Sequence, residues 1–103
     1  MGILSIFGGK KRSSELTALL ESGAVIIDVR SPEEYKTGHV KGSLNIPLGK
    51  INRKMSKIKQ LGKPVITCCA SGMRSSSAAA QLNGQGITAM NGGVWTKVRA
   101  LKG

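Results

Sequence analysis

Two short runs, AVIIDV at residues 24–29 and PVITCC at residues 64–69, are almost wholly apolar and rich in β-branched side chains. Such runs predict strands buried on both faces, because a strand with one wet face alternates instead. ITAM at 87–90 predicts a further strand, and residues 43–46 a short one cut off by Pro47. Helical patterns fill the intervals. Leu16, Leu19 and Leu20 share one face of a short helix over 15–22, with Ser13 or Ser14 as its cap and Gly23 as its stop. Ser31, Pro32 and Glu34 together form a capping-box start for a helix that Gly38 ends. Ile51, Met55 and Ile58 recur at helical spacing among lysines. SSSAAAQLNGQG at 75–86 predicts the next helix, Asn91, Gly92 and Gly93 a turn, and VWTKVRAL at 94–101 a last helix.

Strands alternating with helices predict an α/β fold, a small parallel sheet with helices on both faces. In such sheets ligands bind beyond the carboxyl ends of the strands. A chain of 103 residues gives one domain, expected over 13–103 behind a short N-terminal tail at 1–12. Phe7, Tyr35 and Trp95 are the only aromatics, so the core must rest on aliphatic side chains.

The formal charge of +11 changes the picture of the surface, which should attract anions. Its densest stretch is Lys50, Arg53, Lys54, Lys57 and Lys59. No aromatics interleave with these cations, so nucleic acid is not an expected partner. The apolar stretch at residues 2–7 is too short to span a bilayer, and its positive charges follow it, unlike those of a signal peptide. Gly2 does not fit a myristoylation signal, because Ile6 stands where Ser or Thr belongs. No membrane span, a cytoplasmic location and a monomer are expected. Cys68 and Cys69 are adjacent, and a disulfide between chain neighbours is strained. With His39 as the single histidine, zinc spacing is absent and no metal is expected. A free thiol therefore needs a role.

The segment PVITCCASGMRSSSAAA places Cys69 at a strand end, ahead of a glycine-containing loop and a helix opening near Arg74. If the loop wraps back, the amides of Ala70 to Ser75 face the sulfur, and the helix dipole adds roughly half a positive charge. Such a setting favours the thiolate. A buried core cysteine followed by an ordinary turn is the competing reading. Cys68, on the opposite face of its strand, reads as core. Asp28 reads as a carboxylate satisfying loop amides, and Arg30 as paired with a carboxylate such as Glu33 or Glu34. His39 reads as a backbone-bonding fold element, and Trp95 as core or pocket wall.

C-A-S-G-M-R at 69–74 resembles the active-site loop of the rhodanese family. I-D-V-R at 27–30, the stretch from Glu33 to Leu48, and N-G-G-V-W at 91–95 are similar to further family segments in the family's order. The resemblance implies a rhodanese-like fold and an enzyme of the thiosulfate:cyanide sulfurtransferase type, with no cofactor. Cys69 would be the catalytic nucleophile that carries a persulfide. Ala70, Ser71, Gly72, Met73, Arg74 and Ser75 would bind substrate, the amides holding the persulfide and Arg74 orienting the donor. Ser71 and Ser75 would offer hydroxyls to the donor's oxygens, and Met73 would line the entrance. The expected partners are a small anionic sulfur donor and a protein thiol acceptor or sulfur-relay partner. A non-catalytic sulfur carrier docking an acidic protein is the alternative. A cysteine phosphatase or arsenate reductase is disfavoured, since four residues separate Cys69 from Arg74 where the phosphatase loop has five.

Overall fold

The computed structural model describes the backbone of residues 2–103 and the side chains of residues 11–103. The elements run α1 (Gly2–Glu21), β1 (Val25–Asp28), α2 (Pro32–Lys36), β2 (Leu44–Asn45), a 3-10 turn (Leu48–Lys50), α3 (Ile51–Gln60), β3 (Val65–Cys69), α4 (Met73–Gly84), β4 (Ala89–Val94) and α5 (Trp95–Lys102). The four strands pair in the order β2-β1-β3-β4, all parallel. β3 lies between β1 and β4, and all five of its residues are buried, as its unbroken apolar run requires.

Strand alternation divides the core between the two faces of the sheet. Ile27, Val29, Val65 and Cys69 pack with Ile51 and Ile58 of α3 and Ala78 and Leu82 of α4. Ile26, Ile66 and Cys68 turn the other way, toward Leu16 of α1, Val40 and Val98 of α5. The adjacent cysteines thus belong to different hydrophobic layers. Among the described residues, no helix is long and apolar enough to cross a membrane.

Local chemistry sets the helix boundaries. Ser31 caps α2 with the full reciprocal box: its hydroxyl accepts from the Glu34 amide at 3.3 Å, and the Glu34 carboxylate accepts from the Ser31 amide at 3.0 Å. In α3, Ile51 and Ile58 are buried while Arg53, Lys57 and Lys59 stand in solvent. The basic run is therefore the wet side of an amphipathic helix.

Two expectations need correction. Helix α1 runs from Gly2, so Ser13 and Ser14 lie inside it and cap nothing. The chain ahead of them is already helical, and a cap needs non-helical backbone. Asn91, Gly92 and Gly93 do not form a turn after the last strand; they lie within β4. Thr67 pairs with Asn91 and Cys69 with Val94, so three steps along β4 oppose two along β3. This is a bulge, with Gly93 at φ +80° absorbing the extra residue. The bulge turns Asn91 toward the end of β3.

Candidate active site

Cys69 closes β3 at the carboxyl edge of the sheet, and Ala70, Ser71 and Gly72 lead directly into α4. Gly72 stands at the helix entry with φ +95°, a left-handed conformation that only glycine adopts readily. It also passes close to the bulge, since a Cβ at this position would lie 3.4 Å from Gly93 Cα. This turn brings backbone donors back onto the sulfur. The Gly72 amide donates to Cys69 Sγ at 3.0 Å and the Ser75 amide at 3.4 Å, while Ser75 Oγ lies 3.3 Å from the same atom. Thr67 Oγ1 donates to the Ser75 carbonyl at 2.7 Å and fixes the first turn of α4 against β3.

The two thiols respond to opposite environments. Burial alone pushes the Cys69 thiol up, but the Ser75 hydroxyl and the Ser75, Ser71 and Gly72 amides outweigh it, so the thiol titrates below the ordinary cysteine value. Among the described residues, Cys68 has no such donors. Burial, reinforced by the Asp28 carboxylate, pushes its thiol up to about 12. Cys69 is nevertheless buried, with 0% exposure. Outside the loop a cleft of about 580 Å³ runs between α1 and α5, with Arg12, Leu16, Met73, Asn91 and Lys97 in its walls.

The remaining expected positions divide. Ala70 and Ser71 are exposed, and the Ser71 hydroxyl accepts from the Met73 amide at 3.4 Å instead of turning to the sulfur. The expected ring of all the amides from Ala70 to Ser75 is thus smaller in fact, because the Met73 amide is taken up within the loop. Met73 is 79% exposed at the rim, and Ser75 is buried. Arg74 is engaged: its Nη1 and Nη2 donate to Glu34 Oε1 and Oε2 at 2.7 and 3.0 Å. Arg74, followed by the Ser31 amide, holds the Glu34 carboxyl down at about 2. One carboxylate therefore caps α2 and braces α4.

Arg30 does not pair with the side chain of Glu33 or Glu34, as expected, but with Asp28. Its Nη2 lies 2.7 Å from Asp28 Oδ2, and the same nitrogen donates to the Gly38 carbonyl at 2.7 Å. Two residues along an extended chain, Asp28 and Arg30 project to the same side, so the pair forms locally. Asp28 Oδ1 also accepts from the Arg30 amide at 3.0 Å, the loop-amide role expected of it. Arg30 and Arg99 both lie over the Trp95 ring, with guanidinium carbons 4.7 and 4.8 Å from its centroid. His39 Nδ1 donates to the Tyr35 carbonyl at 2.8 Å, and its ring stacks on Tyr35, so it acts within the fold.

Sequence reasoning missed Asn91 and Glu34 as parts of the site. Asn91 sits in a tripeptide whose composition signals a turn, which hid it. Glu34 carries a recognisable capping signal, but nothing local points to a partner 40 positions away.

Residues 13–103 match the rhodanese-like domain model. The chain belongs to the rhodanese-like family. A thiosulfate sulfurtransferase, GlpE, of Pseudomonas syringae is 38% identical over 71 residues, which are 69% of this chain and 66% of that protein. An uncharacterized Bacillus subtilis protein, YqhL, is 40% identical over 65 residues, 63% of this chain and 51% of that one. The chain thus spans between half and two thirds of the length of these relatives. Among solved structures, the human single-domain sulfurtransferase TSTD1 superposes with a TM-score of 0.66 at 31% identity, covering 82% of this chain and 88% of that one. The rhodanese-like fold expected from the sequence is the fold present.

Proposed function

We propose that this rhodanese-like chain is a sulfurtransferase that carries sulfane sulfur as a persulfide on Cys69. The observation that carries the reading is the Cys69 sulfur at the end of β3, held by the Gly72 amide at 3.0 Å and the Ser75 amide at 3.4 Å. These donors stabilise negative sulfur without a proton-accepting side chain, so the thiolate is itself the nucleophile. It attacks the outer sulfur of thiosulfate, the S–S bond of the donor breaks, and sulfite leaves with the bonding pair. The persulfide anion then occupies the loop. An acceptor nucleophile, cyanide or a thiolate, takes the outer sulfur and returns Cys69 as thiolate.

Arg74 shares its charge with Glu34 in a two-point ion pair, so the loop amides carry more of the task of holding the sulfur anion. Ser71 and Met73 are exposed on the rim, which supports a role in meeting the donor as it enters. The reading implies a reducing compartment such as the cytoplasm, in keeping with two free thiols. Four residues between Cys69 and Arg74 make a ring suited to one sulfur atom, which argues against a phosphatase.

Intact mass spectrometry tests the proposal. Incubation with thiosulfate should add one sulfur atom to the protein, and cyanide should remove it. Cys69→Ala should gain nothing, while Cys68→Ala should gain sulfur as the parent does. Absence of a cyanide-labile sulfur on Cys69 from thiosulfate, and equally from a persulfide donor, overturns it.

A further inference from the structure

Ser75 Oγ stands between two atoms that compete for its single proton. Cys69 Sγ lies 3.3 Å away and Asn91 Oδ1 2.7 Å away. The orientation of the Asn91 amide follows from its other partners. Its Oδ1 accepts from the Gly93 amide at 2.9 Å, and its Nδ2 donates to the Gly72 carbonyl at 3.2 Å. The opposite orientation would set a donor against the Gly93 N–H and an acceptor against the Gly72 carbonyl. Asn91 therefore faces Ser75 as an acceptor.

The direction of the chain follows. With Cys69 neutral, the Ser75 hydroxyl donates to Asn91 Oδ1 and the thiol donates to Ser75 Oγ. With Cys69 ionised, the sulfur holds the fixed Gly72 and Ser75 amides. It gains the Ser75 hydroxyl as a further donor only if that hydroxyl turns away from Asn91. Ser75 is fully buried, so Asn91 Oδ1 is the rival for that proton. The same side chain ties the loop to β4 through Gly72.

We propose that Asn91 is a positioning residue of the sulfur site, acting through Ser75: its Oδ1 competes with the Cys69 thiolate for the Ser75 hydroxyl proton. This rests on the assignment of Cys69 as the reacting sulfur, and deepens it by naming what regulates the thiolate. Asn91 is a brake on ionisation as well as a tether for the loop.

The test uses the whole chain and reads the pH dependence of Cys69 alkylation by iodoacetamide, located by peptide mass. No sulfur donor is needed, so a failure here is distinguishable from failure of the sulfurtransferase reading, which the thiosulfate and cyanide masses report separately. Asn91→Ala should move the alkylation profile to lower pH, with the rate below the midpoint rising about three- to ten-fold, the effect of one hydrogen bond. Asn91→Asp, which keeps an acceptor toward Ser75 and Gly93 but gives up the Nδ2 donor to the Gly72 carbonyl, should move the profile to higher pH by strengthening the rival acceptor. In a Ser75→Ala background, Asn91→Ala should shift nothing and the shift from Asn91→Asp should shrink. An unchanged or raised profile in Asn91→Ala, or Asn91 shifts of equal size with and without Ser75, overturns the proposal.

Discussion

Replacing Gly92 with alanine adds one methyl group at a place where the structure has no room for it. The new Cβ would lie 2.6 Å from Val98 Cγ2, 2.8 Å from Ile66 Cγ2 and 2.9 Å from the Thr67 carbonyl oxygen. Carbon atoms rest at about 3.5–4.0 Å, so two contacts overlap by roughly 1 Å. Neither neighbour can step aside. Val98 and Ile66 are buried, and their branched side chains are stiff at χ1. The third contact is backbone of β3. Relief therefore requires β4 and α5 to move off β3, and the cost should fall in the upper part of the overpacking range, about 2–3 kcal/mol. For a domain of this size that corresponds to a melting temperature lower by about 10–20 °C. Urea and thermal unfolding, followed by circular dichroism, measure it. Gly84→Ala is the control, because nothing lies within 4 Å of its Cβ and the backbone there is helical; it should be neutral or slightly stabilising. A Gly92→Ala protein within about 0.5 kcal/mol of the parent, small against that overpacking cost, would refute the account of the bulge as a close-packed joint.

Arg30→Leu should destabilise the protein by about 3–5 kcal/mol in urea unfolding, because it leaves the Asp28 carboxylate unpaired at 0% exposure; a loss under about 1 kcal/mol, below that range, would contradict the reading. Glu34 has its folded pKa depressed from an ordinary 4.5 to about 2, so the unfolded chain binds the proton more readily. Its stabilising contribution is complete above about pH 4.5 and disappears as the pH falls toward 2. In Glu34→Gln the fall in melting temperature across that window should be shallower, and parallel curves for the two proteins would count against it. The two thiols should separate sharply: at neutral pH iodoacetamide should modify Cys69 and leave Cys68 untouched, in line with a Cys68 thiol pushed up to about 12. Equal labelling of both cysteines in the folded protein would show that the loop does not select between them.

The elements, and the chemistry that depends on neighbours along the chain, were legible in the amino-acid sequence. Two apolar runs became β1 and β3, the Ser31–Glu34 box became the start of α2, and the order strand, Cys69, glycine, helix predicted amides facing a sulfur. These are short-range matters, decided by side-chain period, by capping and by the backbone freedom of Gly72. Tertiary structure decided which of the loop's groups reach the sulfur and what their other partners are. The charge of Arg74 went to Glu34 on another helix. Asn91, whose tripeptide resembles a turn, was drawn into β4 and set against Ser75, because pairing with β3 satisfies its backbone and a bulge can absorb one extra residue. Hydrogen-bond partners are chosen by distance in space, and a side chain with one proton to give makes that choice only once the strands have brought its rivals together.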